Sequence, residues 1–221
     1  MKPKLVLFDL DHTLLKGDSD VLWCEFLMAQ GVLERGAFSA RNADMEARYR
    51  AGTVSSAEFA QFYVGTLAGR GPKQWEPLRS RFFHEVITPR IPADAMGLVR
   101  EHLAAEDWVV MTTATNRFLA ELTARHFGIA HLLATEPEIV AGIFSGRSTG
   151  TLNMREGKVA RLHEWLADRG LALAALHSTA YSDSINDLPL LQAVDVAVAV
   201  DPDVQLAAIA HARGWRVLQM C

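Results

Sequence analysis

With 221 residues, half of them apolar, the chain is long enough for one large domain or for a core carrying a smaller inserted one. Its 22 basic and 26 acidic residues give a formal charge of −4 with no polybasic run, which excludes the footprint of a nucleic-acid binder or of a protein drawn to an anionic membrane. The expected partner is a small molecule. Cys24 and Cys221, the only cysteines, show neither metal-ligand spacing nor a disulfide framework and read as ordinary thiols. MKPKLVLF enters a strand too soon for a signal peptide, and no apolar run reaches the ~18 residues of a membrane helix, so a soluble cytoplasmic protein is expected.

Taken in chain order, KLVLF at 4–8 is a continuous apolar run and predicts a buried strand ending at the acids of DLDHT. Residues 16–91 then show helical patterns and no convincing strand. Ser19 and Asp20 are placed to cap VLWCEFLMAQ ahead of Gly31. SSAE at 55–58 has capping-box spacing before Phe59, Phe62, Tyr63 and Leu67, whose shared helical face reads as core. A further helix spans about 75–86 and ends ahead of Thr88 and Pro89, after which RIPADA returns the chain to the sheet. Strands follow at WVVMT (108–112), near 180–182 and at 194–200, while IFSGRSTGTLNMREGK reads as a hairpin or flap beside the next helix. Strands alternating with helices predict an α/β fold: a Rossmann-like parallel sheet core built from 1–15 and 92–221, with an all-helical domain inserted at 16–91. Such sheets bind ligands at the carboxyl ends of their strands.

Four segments at or beside those ends carry chemistry. Asp9 and Asp11, two apart, can lean toward one side and converge, and a divalent cation with hard oxygen ligands, Mg²⁺ before any other, would relieve their repulsion. Thr113 and Thr115 in TTATN sit at or past another strand end, where hydroxyls and amides can hold an anion or simply cap a helix. Lys158 begins an amphipathic helix, a place where the macrodipole disfavours a cation unless an anion accompanies it. Asp183 and Asp187 in SDSIND form a second acidic pair that could serve only as caps.

DLDHT at 9–13, Thr113, Lys158 in EGKV and SDSIND at 182–187, in this order and with a helical insertion after the first, resemble the haloacid dehalogenase superfamily, in particular its phosphoserine phosphatase-like branch (subfamily IB). The resemblance spans nearly the whole chain. It implies a phosphomonoester hydrolase in which Asp9 is the nucleophile, forming an aspartyl phosphate, and Asp11 is the general acid and base. It further implies Mg²⁺ held by the Asp9 carboxylate, the Asp11 backbone carbonyl and the Asp183 carboxylate, with Thr113 and Lys158 on the phosphoryl oxygens and Asp187 acting on a metal-bound water or on Lys158. Asp11 separates the chain from the dehalogenases of the superfamily, whose halide leaves without a proton. His12 is expected to be a spacer whose backbone amide faces the phosphate. The insertion would act as a cap that reads the leaving group.

In phosphoserine phosphatases an acid at the place of Asp18 reads the substrate amine, and a cap arginine reads its carboxylate. FAQFYVGTLAG here has no arginine before Arg70, although Arg48, Arg50 or Arg117 could supply that charge. An amine-bearing ester without a carboxylate, such as histidinol phosphate, fits better, with phosphoserine as the alternative. Two non-enzymatic readings stand beside these, a receiver-like signalling domain and a phospho-ligand-binding protein. The first lacks an acid at the place of Asp11 and the insertion; the second would be expected to have lost part of the set. Oligomeric state stays open.

Overall fold

The computed structural model describes residues 2–220. Its strands are β1 (Lys4–Phe8), β2 (Trp108–Asn116), β3 (His131–Val140), β4 (Ile143–Thr149), β5 (His177–Ser182), β6 (Val196–Val200) and β7 (Arg216–Leu218). They form one seven-stranded sheet in the order β4-β3-β2-β1-β5-β6-β7, parallel throughout except for the β3–β4 hairpin. β1 therefore lies at the centre, with Leu5 opposite Trp108 on one side and Ser178 on the other.

The apolar run of β1 divides between two layers, as the twofold periodicity of a strand requires. Leu5 and Leu7 pack with Leu162, Leu166, Leu190 and Leu206, from α7 (Glu156–Ala167), α8 (Leu188–Ala193) and α9 (Val204–Arg213). Val6 and Phe8 face the other way, with Val99 of α5 (Ala93–Ala104) and Phe118 and Phe127 of α6 (Arg117–Phe127).

Between β1 and α5 lie α1 (Ser19–Ala29), α2 (Arg35–Arg50), α3 (Ser56–Val64) and α4 (Pro72–Phe82); among the described residues, 16–91 holds no strand. Trp23 meets Trp75 and Phe82 edge to face, with ring centroids 5.6 and 5.1 Å apart, and all three belong to the buried cluster that contains Val6 and Phe8. The insertion is thus cored together with one layer of the sheet. A smaller cluster joins Val21, Cys24, Met45, Val54, Phe59 and Tyr63 to Ala114 of β2 and to Met154.

Several local expectations are corrected. The N-cap of α1 is Asp18, whose Oδ1 accepts from the amides of Asp20 and Val21 at 2.9 and 3.0 Å; Ser19 and Asp20 are already helical. Ser55 caps α3 by accepting from the Glu58 amide, but the Glu58 carboxylate turns to Arg48 instead of closing the box. The helical path of α4 continues past its last residue through a wide turn at Phe83–Ile87 and a tight one at Thr88–Arg90, because Pro89 stands in a first turn where its missing N–H costs nothing. β2 runs to Asn116, beyond the expected end at 112. α2 and β3 escape a periodicity reading: α2 is polar on most of its surface, and β3 carries Glu136, Pro137 and Glu138. Ala141 and Gly142, both at positive φ, make the two-residue hairpin turn into β4. Cys24 is buried, and Cys221 lies outside the described residues. No helix among the described residues is long and apolar enough to cross a membrane.

Candidate active site

Asp9 follows β1 directly, its amide donating to the Tyr181 carbonyl at 3.0 Å and so prolonging the sheet by one residue. The chain then turns tightly: the amides of Thr13, Leu14 and Leu15 all converge on the Leu10 carbonyl, and His12 takes a positive φ of 58°. This turn brings Asp9, Asp11 and Thr13 to one place at the carboxyl ends of the central strands. The His12 amide does not face the site as expected, since it donates to the Gly17 carbonyl at 3.1 Å and closes the same turn.

Lys158, the third residue of α7 and only 1% exposed, crosses to this turn. Its Nζ donates to Asp9 Oδ1 at 2.7 Å and to Asp187 Oδ2 at 2.6 Å, and Asp187 Oδ2 also accepts from Ser182 Oγ at 2.7 Å. A cation at a helix N-terminus is explained by these two buried carboxylates. Burial works against the ammonium charge, but Asp187 and Asp9 outweigh it and the pKa is held above the ordinary lysine value. Gly157 makes the approach possible, because a Cβ there would lie 1.9 Å from the Leu152 carbonyl oxygen.

Asp11 is held by different partners. Its Oδ1 accepts from the Ser19 amide at 2.7 Å, and its Oδ2 accepts from Thr115 Oγ1 at 2.7 Å and Thr113 Oγ1 at 3.3 Å. Thr13 links Asp9 to Asp183. Its hydroxyl lies 3.2 Å from Asp9 Oδ2 and 3.1 Å from Asp183 Oδ1, and it accepts from the Asp183 amide at 3.0 Å. One hydroxyl proton cannot serve both carboxylates at once.

Four carboxylates, Asp9, Asp11, Asp183 and Asp187, thus gather beside one buried lysine, which pairs with two of them. Burial pushes the Asp9 carboxyl up to about 7; Lys158 draws it down, and Asp187 and Asp11 push it further up. Asp183 is raised well above the carboxylate range, again by burial first and then by Asp9 and Asp187. That shortage of positive charge, with Asp9 and Asp183 oxygens converging on Thr13, suits a divalent cation. Among the described residues no three His, Cys, Asp or Glu side chains form a cage. Two carboxylates supplemented by backbone and water are nevertheless what Mg²⁺, which keeps much of its hydration, accepts.

Against the family model for haloacid dehalogenase-like hydrolases, residues 6–192 match. The chain belongs to this family. A histidinol-phosphatase of Neisseria meningitidis is 36% identical over 97% of both chains. The phosphoserine phosphatase SerB1 of Mycobacterium tuberculosis is 34% identical over 95% of this chain and 68% of its own. The crystal structure of a protein of unknown function from Bordetella pertussis superposes with a TM-score of 0.94 at 43% identity, covering both chains completely. A phospho-aspartyl intermediate analogue of phosphoserine phosphatase superposes at 0.72 with 16% identity, over all of this chain and 95% of that one, a likeness of fold. This hydrolase is accordingly a phosphatase of the family.

Asp18, the residue expected to read substrate, is buried in this phosphatase with Oδ1 committed to the α1 cap. Burial, and next the charge of Asp11, push its carboxyl up to about 8. An acid whose folded value exceeds its unfolded one near 4 destabilises the fold increasingly as pH rises between those values, and not below them. Asp18→Asn keeps an oxygen for the cap and removes the charge. In chelator it should raise Tm by several degrees at pH 8 and by little at pH 4; equal shifts at both in calorimetry would refute this.

The arginines proposed for a substrate carboxylate are mostly engaged. Arg48 pairs with both oxygens of Glu58 at 2.6 and 2.7 Å, and Arg117 with Glu136 and the Leu132 carbonyl. Arg50 pairs with Glu46 at 2.8 Å and lies 3.3 Å from His12 Nε2. A cavity of about 900 Å³ lies within the insertion beside Phe38, Phe62 and Trp75; none of the site carboxylates lines it.

Sequence reasoning assigned no role to Thr13, Ser182 and Asn153, and it read Thr115 as an anion holder or cap and Ser19 as a cap, where both bond to Asp11. Asn153 Nδ2 lies within bonding distance of Thr112 Oγ1 and the Thr113 and Leu133 carbonyls, filling the gap where β2 and β3 lose register after Thr113. Thr13 stood inside the DLDHT motif and was discoverable there; the local signal at Ser19 pointed only to a cap, and Asn153 had none.

Proposed function

We propose that this phosphatase is Mg²⁺-dependent and hydrolyses a small phosphomonoester through an aspartyl phosphate on Asp9, with residues 16–91 serving as a cap over a core of 1–15 and 92–221. The observation that carries the reading is the Asp9–Lys158–Asp187 bridge beside Asp11 and Asp183. It supports the reading because a buried carboxylate and a fixed cation lie side by side, with negative charge left over.

In the first step Asp9 attacks phosphorus, the bond to the leaving oxygen breaks, and Asp11 gives that oxygen its proton. In the second, deprotonated Asp11 takes a proton from water, which attacks phosphorus and releases the Asp9 carboxylate and inorganic phosphate. Lys158 and Thr113 hold the phosphoryl oxygens while charge moves across them. Mg²⁺ at Asp9, Asp183 and the Asp11 carbonyl would supply charge neutralisation for the incoming phosphate.

The substrate reading is an amine-bearing ester without a carboxylate, histidinol phosphate foremost. It is supported by the engagement of Arg48 and Arg117 and by the relative named histidinol-phosphatase. Phosphoserine is the second reading, favoured by Arg50 near His12 and by the relative named phosphoserine phosphatase. Phosphate release from a panel of histidinol phosphate, phosphoserine, sugar phosphates and nucleotides, with Mg²⁺ or chelator, distinguishes them. Histidinol phosphate should exceed phosphoserine by at least about tenfold in kcat/KM, and chelator should stop turnover. A preference for phosphoserine overturns the substrate assignment, and no release from any ester by the folded, Mg²⁺-loaded protein overturns the hydrolytic one.

A further inference from the structure

The insertion touches the rest of the molecule in two chemically different ways. At its far end, the Gly69 amide donates to the Phe144 carbonyl and the Phe144 amide to the Arg70 carbonyl, at 3.1 and 3.0 Å. Phe144 and Trp75 are buried there, and a Cβ on Gly71 would lie 2.5 Å from the Gly142 carbonyl oxygen. This is a close main-chain seam over apolar packing. At the near end, where α2 turns at Tyr49–Gly52, side chains of the catalytic loops bond to the insertion's main chain, beside the apolar cluster that holds Met154 with Met45 and Val54. Arg155 Nη2 donates to the Gly52 carbonyl at 2.7 Å, and Asn186 Nδ2 donates to the Tyr49 carbonyl at 2.9 Å. The two side chains are joined by a bond from Arg155 Nε to Asn186 Oδ1 at 3.0 Å.

We propose that Arg155 is a positioning residue, the tie by which the turn after α2 is latched over the site and kept in register with the loop that presents Lys158. Three observations carry this. Arg155 precedes α7, and its carbonyl accepts from the Lys158 amide at 3.0 Å, so its backbone sets where the lysine begins. That backbone stands at φ 52° and ψ −124°, an uncommon conformation for a residue with a Cβ, which persists only where surroundings enforce it. The guanidinium is fixed at two points in one fork, one on the insertion and one on Asn186, the neighbour of Asp187. The seam at 69–71 and 144 is the fixed side. The Arg155–Asn186 pair is the side whose few polar bonds can be exchanged for water, so substrate entry is assigned there.

The inference rests on the phosphatase reading for its kinetic consequence but not for its structural one. Amide exchange should therefore be measured on the full chain, with kinetics, for wild type, Arg155→Ala and Arg155→Lys. In Arg155→Ala, the amides of Gly52 and Thr53 should exchange at least about tenfold faster while those of β1 stay as in wild type. KM for the preferred ester should rise by about tenfold with a smaller fall in kcat. Arg155→Lys, which keeps the charge but not the fork, should recover part of both; if the alanine variant does not fold, this variant decides on the same two readouts. Unchanged exchange at Gly52 and Thr53 overturns the latch even if activity falls. Faster exchange with no turnover in any variant, wild type included, leaves the latch standing and removes the phosphatase reading instead.

Discussion

Replacing Asp9 by asparagine is expected to lower phosphate release by at least about 10³-fold, because an amide oxygen cannot take the place of the attacking carboxylate. The fold should survive the change. Asparagine can still accept from Lys158 with its oxygen, and its amide can approach Thr13 Oγ1, so both side-chain contacts of Asp9 have a counterpart. The substitution also removes one of four carboxylates gathered beside a single lysine that pairs with two of them, so Tm in chelator should stay level or rise. Single-turnover assays with the preferred ester, together with a melt, check both parts. Activity within tenfold of wild type would sink the assignment of Asp9, whereas a collapsed melt would show that the carboxylate is needed for folding.

Lys158→Met is expected to damage stability and activity together. Methionine keeps an apolar stem in place, but the Asp9 and Asp187 carboxylates lose the ammonium that lies 2.7 and 2.6 Å away. Breaking a buried pair from one side costs about 3–5 kcal/mol, because the stranded charges remain in low dielectric. Asp9, whose carboxyl burial already raises to about 7, folds at lower cost when protonated, so the loss should be smaller at pH 5 than at pH 8 in urea titrations. Adding Asp187→Asn should return part of the stability, since it removes one stranded charge. Activity should fall by about 10²–10³-fold and should not return in the double variant, because no cation is restored to the phosphoryl oxygens. A single variant within about 1 kcal/mol of wild type at both pH values would contradict the buried-bridge account.

Much of this was legible in the chain because the elements concerned carry local signals. The unbroken apolar run before Asp9 marked a strand covered on both faces, and the lysine at 158 and the acids at 183 and 187 stood beside helix starts. Of the stripe of Phe59, Phe62, Tyr63 and Leu67 read as core, Phe59, Tyr63 and Leu67 are buried, whereas Phe62 is half-buried and lines the cavity in the insertion. What the pattern missed was of two kinds. β3 and α2 are partly exposed elements whose alternation is broken by polar residues, so periodicity falls below notice. Thr115 and Asn153 act through hydrogen bonds to partners far along the chain, as in the 104 positions between Thr115 and Asp11, and nothing near them announces such a partner.

Asp18 shows where the two sources meet. Its place after the first motif suggested a reader of substrate, and the same acid in the same place caps α1 with its Oδ1. Local sequence cannot choose between these, because a capping acid and a substrate-facing acid occupy the same kind of position at a loop–helix junction. The expectation that Asp187 would serve either a metal-bound water or Lys158 was open for a related reason, and in the structure Asp187 lies on the lysine.

By itself the sequence determined the α/β class, the helical character of 16–91, the place of Asp9 and Asp183 just past strands and the family to which the chain belongs, since these follow from short-range periodicity and ordered motifs. Only the tertiary structure decided that Lys158 bridges Asp9 and Asp187, that Thr13 stands between Asp9 and Asp183, and that Arg155 reaches the insertion. Those contacts join residues from separate strands and loops. Burial sets their strength, and burial is a property of the packed chain that no local stretch contains.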